Sequence, residues 1–278
     1  MGQYWRFVNI DKQEKSAHLG KLGEFFFANE PGQLIYLLAI PPVPLGSAPS
    51  DPSDLKEVPG RWAGDRIICL GNYAHSWPEG VVTAADFRQK STADVEWTSN
   101  DETSDEESSS DTDEASQDPT KRPSASFLRV CHSIRSTDFD QETRAAYPQD
   151  QVWVLRNITK KLYVRSDGIP TKNPDYALTY EGHRGLESYP GLGNVLLAKI
   201  GWSDDGSTSM RCDGYNLTEG SWAGDRIDVR LMDHVMEDMI QEGWKDISRQ
   251  EAKLLHGIWC DVDGGGSGKL PKEPKTAL

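Results

Sequence analysis

The hexapeptide Trp-Ala-Gly-Asp-Arg-Ile occurs twice in this chain of 278 residues, at 62–67 and at 222–227, each time preceded two positions earlier by a glycine. Coincidence is a remote explanation for a match of that length. The openings of the two halves agree as well: Gln3, Trp5, Asn9, Ile10 and Lys12 face Gln151, Trp153, Asn157, Ile158 and Lys160. The spacing between copies is far longer than the repeat of a solenoid, so the pattern predicts two modules rather than an array. The expected fold class is α+β. Each module is a small, mostly antiparallel sheet with one or two packed helices, and the two are related by a pseudo-twofold duplication.

Four regions follow from the chain order. Residues 1–90 form the first module, 91–126 an acidic insert, 127–260 the second module and 261–278 a flexible tail. In the first module, "QYWRFVNID" alternates apolar and polar residues as a half-buried strand does. Leu22, Phe25 and Phe26 fall at helical spacing. "QLIYLLAI" reads as a strand that ends at a Pro/Ser-rich loop. The first motif opens the strand "RIICLGNY", apolar on both faces and therefore expected to be covered twice. In the second module "QVWVLRNITKKLYVRSDGI" mirrors the opening. "VLLAKIGW", "SDDG" and "STSMRCDGYN" read as a hairpin. The second motif opens "RIDVRL", and a helix follows with Met232, Val235, Met236, Met239 and Ile240 on one stripe. Ser248 and Glu251 have the spacing of a capping box before a last helix through Trp259.

The formal net charge is −14, but eleven acidic residues and no Lys or Arg lie between 91 and 120, leaving −3 over the rest. The insert's Ser/Thr-rich, one-sided composition offers too little burial to offset chain entropy, so it reads as disordered. Its charge opposes binding to nucleic acid or an anionic membrane. Ser99, Ser104, Ser108 and Ser110 each precede an acidic residue by three positions, a pattern that suits an acidophilic kinase and makes them phosphorylation candidates. Cys69, Cys131, Cys212 and Cys260 have no metal-type spacing. No apolar run reaches spanning length, and the N-terminus lacks a signal-peptide layout. Arg6 stands where a myristoylation pattern wants Ser or Thr. The expected setting is cytoplasmic or nuclear.

Motif chemistry is sparse. "DVDGGGSG" begins like a calcium loop, but its twelfth position is Lys272 where a bidentate Glu is needed. "GGGSGKL" misses a P-loop at Asp263 and Leu270. "GLGNVL" lacks the third glycine of a dinucleotide site. Cys69 and His75 lie close enough in sequence to be weighed as a nucleophile pair. No cofactor or metal is implied. In the repeated motif, Trp is a large anchor and Gly admits a positive φ at a bend. Asp225 is expected at the rim of the buried face, accepting backbone N–H groups of the turn. The leading reading of WAGDRI is therefore packing and turn formation. The alternative is a ligand site at Trp62, Asp65 and Arg66 and at Trp222, Asp225 and Arg226.

The phrases "GQYWRFVNIDK", "GRWAGDRIIC", "VWVLRNITKKLYVRSDGI", "GLGNVLLAKIGWS" and "GSWAGDRIDV", with "WKDIS" and "HGIW", resemble a fungal protein family with duplicated WAGDRI-containing modules. Some of its members carry an F-box-like segment. No such segment is legible here between the modules, so the resemblance implies no ubiquitin-ligase adaptor role, and it brings no catalytic residues. The function expected is a non-catalytic intracellular protein-interaction or regulatory role, with the insert either docking a basic protein partner or serving only to solvate and separate the modules. The alternatives are a binder of a small polar ligand such as a sugar, in the manner of an intracellular lectin, and an enzyme using Asp65, Arg66, Asp225, Arg226, Cys69 and His75.

Overall fold

The computed structural model describes residues 3–17, 19–21, 30–42, 59–83, 85–86, 127–128, 131–134, 147–148, 150–169, 191–208, 211–212 and 215–262. The expected helix at Leu22, Phe25 and Phe26, the insert from 91 to 126 and the tail beyond 262 lie outside them.

The first opening forms strand β1 (Trp5–Asn9) and a short return strand β2 (Glu14–Lys15). Helix α1 (Glu30–Leu38) precedes the first motif, which leads into β3 (Asp65–Gly71). A two-residue strand, β4 (His132–Ser133), runs parallel to β2. The second opening forms the hairpin β5 (Trp153–Asn157) and β6 (Leu162–Arg165). Helix α2 (Leu192–Ile200) and strand β7 (Gly201–Trp202) follow, then the small hairpin of β8 (Arg211–Cys212) and β9 (Tyr215–Asn216). The second motif leads into β10 (Arg226–Leu231). A 3₁₀ turn, helix α3 (Met236–Gln241), strand β11 (Lys245–Asp246) and helix α4 (Ser248–Val262) complete the described chain.

One mixed sheet runs in the order β11-β6-β5-β10-β3-β1-β2-β4, with β7 also beside β3. The architecture is α+β. The β1/β3 ladder pairs Trp5 with Gly71 and Asn9 with Ile67, while β5/β10 pairs Trp153 with Leu231 and Asn157 with Ile227. The β3 and β10 strands meet antiparallel at their first residues, Arg66 opposite Arg226 and Asp65 opposite Ile227. Helices α1 and α2 pack on each other over one face. The main core there draws on both halves, with Trp5, Trp62, Leu155, Val195, Trp222 and Val229 all buried.

Two apolar runs expected as strands are helices. "QLIYLLAI" is α1 and "VLLAKI" is α2, in place of the expected hairpin. A short continuous apolar run carries no period that separates a buried strand from a buried helix. A local signal decides for α2: Asn194 Oδ1 accepts the Gly191 N–H at 3.0 Å, tying off its first turn. The doubly apolar β3 is covered twice as expected. Ile67 and Cys69 join the main core, and Ile68 and Leu70 meet Trp77, Phe127 and Cys131 on the other face. Phe127 and His132–Ser133, grouped by sequence with the second module, lie against Trp77 and β2 respectively.

The stripe after β10 is split between the 3₁₀ turn and α3. Met232, Val235 and Met239 are buried against Val154 with Met236 partly so, but Ile240, within α3 beside Met239, is 63% exposed. The capping box is absent. The Ser248 N–H and hydroxyl turn back to Asp246, and the Glu251 N–H bonds the Ile247 carbonyl at 3.1 Å. Buried Glu251 instead pairs with Lys199 Nζ of α2 at 2.8 Å.

Gly64 and Gly224 take φ of +85° and +81°, the left-handed bend that feeds each motif strand. A Cβ on Gly224 would lie 2.2 Å from Val81 Cγ1, whereas one on Gly64 would meet only Ile158 Cδ1 at 4.0 Å. Gly64→Ala is expected to cost about 1–2 kcal/mol for the backbone alone. Gly224→Ala should cost clearly more, because Val81 must also move. Urea unfolding of the two variants measures the difference.

Candidate functional site

The repeated motif converges on the seam between β3 and β10. Each copy makes the same turn: the Ala63 N–H bonds the Gly60 carbonyl and the Asp65 N–H bonds the Trp62 carbonyl, both at 3.1 Å. The Ala223 N–H bonds the Gly220 carbonyl at 3.1 Å and the Asp225 N–H bonds the Trp222 carbonyl at 2.9 Å. The turns then cross the seam. The Gly64 N–H reaches the Ile227 carbonyl at 2.8 Å and the Gly224 N–H reaches the Ile67 carbonyl at 2.9 Å.

The motif carboxylates are held by the openings of the two halves. Asp65 Oδ2 accepts Asn9 Nδ2 at 2.8 Å and pairs with Lys12; Asp225 Oδ2 accepts Asn157 Nδ2 at 2.7 Å and pairs with Lys160. The same Asn side chains use their other end as turn acceptors, taking the Lys12 and Lys160 N–H groups at 2.9 Å each. That turn bends through positive φ at Gln13 (53°) and Lys161 (51°). Asp225 thus sits at the rim of the buried face, but its carboxylate takes a side-chain amide and an ammonium rather than the backbone N–H groups expected. A hydrogen bond to a charged acceptor contributes about 1.5–3 kcal/mol, while the half-exposed lysine partners add less.

The arginines point to the other face. Arg66 bonds Asp11 Oδ1 at 2.7 Å, the Val81 carbonyl at 2.8 Å and Asp86. Arg226 pairs with Asp11 Oδ2 and donates to the Gly64 carbonyl. Asp11 also caps the Arg66 N–H at 3.0 Å, and Thr159 Oγ1 does the same for Arg226 at 2.9 Å. Both motif tryptophans are buried, and Trp62 Nε1 donates to Glu14 Oε2 at 2.7 Å. They therefore offer no face to a ligand. Burial alone would raise the Glu14 carboxyl, but hydrogen bonds from Arg61 and Trp62 hold it below the usual range. At Asp86 burial likewise raises, and the bonds from Arg66 and Thr83 win, so it too is lowered.

The other candidates do not come together. Cys69 is enclosed in the core, and burial pushes its thiol well up, away from the reactive thiolate. His75 is exposed, its backbone N–H bound to Asp204. Ser99, Ser104, Ser108 and Ser110 lie outside the described residues. A cleft of about 410 Å³ opens at the far end of β5 and β6, lined by Asp150, Gln151, Val152, Arg165, Asp167, Met232, Asp233 and Met236. It contains none of the motif residues, and Arg165 is tied to Asp167 at 2.9 Å. Among the described residues no cluster of His, Cys, Asp and Glu is arranged to hold a metal, and no helix is long and apolar enough to cross a membrane.

Asn9, Lys12, Asn157 and Lys160 were legible as the residues shared by the two openings, though their partners were not. Asp11 left no such signal, because Thr159 takes its place in the second half, and Asp86 left none, because it stands twenty positions from the arginine it holds. Comparison with protein-family models, curated proteins and solved structures gives no match.

Asp225→Ala leaves a buried amide without its acceptor and should cost about 2 kcal/mol or more, with Asp65→Ala close behind, both read by thermal unfolding. Because the Glu14 and Asp86 carboxyls are lowered on folding, the unfolded chain binds more protons in the acid range. Their contribution is full above the ordinary carboxylate pKa and is lost as pH falls through the folded values. Glu14→Gln should lower stability at neutral pH and flatten the acid limb of a stability–pH curve.

Proposed function

We propose that this chain is a non-catalytic protein-interaction or regulatory protein made of two copies of one module. In this reading the copies are related by a pseudo-twofold axis through the Arg66–Arg226 pair, and the acidic insert of 91–126 lies between them as the element that docks a basic protein partner. One observation carries the reading: the carboxylates of both motif copies are engaged by partners inside the molecule, in matched pairs. Asn9 and Lys12 on Asp65 correspond to Asn157 and Lys160 on Asp225. The matching ladder registers support the same equivalence. A motif whose carboxylates hold its own hairpins serves folding, which leaves the concentrated charge of the insert as the feature addressed to the outside.

A cytoplasmic or nuclear setting and a fungal origin belong to this reading, the latter on the sequence resemblance alone. With both motif indoles buried, two equivalent sugar pockets at the motif would lack their stacking surface. The enzyme alternative would have to work without Cys69, which is enclosed in the core.

The test is partner capture by the full chain against a variant lacking residues 91–120. Loss of basic partners from the deletion variant is the expected outcome, and it should be mimicked by raising the salt concentration. Equal capture by both would remove the insert from the function. Glycan titration should leave tryptophan fluorescence unchanged.

A further inference from the structure

The cleft at the far end of β5 and β6 has a counterpart in the first half, and the two ends are finished differently. Its walls come from the start of β5, the end of β6 and the turn after β10, joined where the Met232 N–H bonds the Val152 carbonyl at 2.8 Å. In the first half the Asn72 N–H bonds the Tyr4 carbonyl at 2.9 Å in the same way. Counted from the motif and from the shared opening, Gln3, Asn72, Tyr73 and Ser76 correspond to Gln151, Met232, Asp233 and Met236.

In the first half the chain itself fills this position with Trp202, Ser203 and Asp204. Gln3 Nε2 donates to Ser203 Oγ at 2.7 Å, and Trp202 Nε1 donates to the Ser76 carbonyl at 2.8 Å. Asp204 accepts the His75 N–H at 2.6 Å and the Ser76 hydroxyl at 2.7 Å. In the second half Gln151 is exposed, and among the described residues its side chain and the carboxylates of Asp150 and Asp233 have no partner. The space there is the cleft of about 410 Å³, within the roughly 300–1,000 Å³ of ligand pockets.

The chemistry of the open end is also its own. Met232 and Met236 replace Asn72 and Ser76, so with Val152 they give the cleft an apolar floor. Ile240, one helical turn beyond Met236 and 63% exposed, prolongs that surface along α3. Arg165 and Asp167 bind each other through two contacts and cancel. That leaves Asp150 and Asp233 as the uncompensated charge of the lining. An apolar floor under free carboxylates complements a lysine or arginine, whose stem is apolar and whose head is cationic. Methionine side chains adapt to a stem of either shape. We propose that this cleft docks an extended basic segment of a partner protein. One lysine or arginine of that segment lays its stem along Val152, Met232 and Met236 and its charge between Asp150 and Asp233, and the Gln151 amide binds the segment as Gln3 binds Ser203.

The inference rests on the two-copy, basic-partner reading above and names where on the folded body that partner seats. The probe is a synthetic peptide of alternating arginine and leucine, added to the full chain at low salt. Amide hydrogen exchange is followed by mass spectrometry. The peptide should slow exchange several-fold in fragments covering 150–152 and 232–236. Asp150→Asn/Asp233→Asn, whose unfolding temperature should match that of the unmodified chain, should raise the half-saturating peptide concentration about tenfold. Ile240→Ser should raise it several-fold, and a peptide of alternating glutamate and leucine should slow nothing. Absence of slowing at the cleft, slowing that Asp150→Asn/Asp233→Asn leaves unchanged, or equal slowing by the acidic peptide would overturn the proposal. Deletion of residues 91–120 should leave the slowing in place, so failure of the insert as a dock and failure of the cleft read out separately.

Discussion

The carboxylate of each motif aspartate is the point on which the central sheet depends. Asp65 begins β3 and Asp225 immediately precedes β10, the two strands that meet at the seam, and each is held by an asparagine and a lysine from the preceding hairpin. The asparagine acts twice, donating to the aspartate and accepting the N–H that closes its own turn. Strand register, hairpin shape and motif turn are therefore fixed by one pair of bonds in each half. The tryptophan that precedes each aspartate fills the core beneath it. Because these polar groups satisfy one another, their partial burial carries little desolvation penalty.

Around this shared frame the halves diverge. The outer face of β3 is apolar and covered by Trp77 and Phe127, with their rings edge to face at 5.1 Å. The outer face of β10 is charged instead. There Asp228 takes both Nε and Nη2 of Arg156, whose guanidinium stacks over Trp244 at 5.2 Å. The difference follows from the strands themselves, since "RIICL" is apolar at every position after the arginine and "RIDVR" alternates.

What could be read in advance was what repeats or alternates. The strands β1, β3, β5 and β10 alternate or follow a motif, and the shared Asn and Lys of the openings proved to be the ligands of the shared Asp. Helices α1 and α2 could not be read, because an apolar run buried on every side has no period. The S-x-x-E spacing misled for a different reason. Glu251 gains more from the buried ammonium of Lys199 than from a backbone N–H at a helix start. Asp11 and Asp86 were invisible because a long-range ion pair leaves no local pattern. Asp86 lies twenty positions beyond Arg66, and Asp11 fifty-five before it.

The seam itself has a consequence for ancestry. Two strand edges that meet antiparallel, with Arg66 opposite Arg226 and Gly64 and Gly224 each bonding across to the other side, form a self-complementary contact. That is the geometry of an isologous homodimer interface. Under the two-copy reading, a lone ancestral module would have exposed this edge and closed it by pairing with a second molecule. Fusion of the two genes would then have replaced an association that depends on concentration with a permanent one. It would also have freed each half to change without its twin, so that one arginine could gain a cover while the other stayed open.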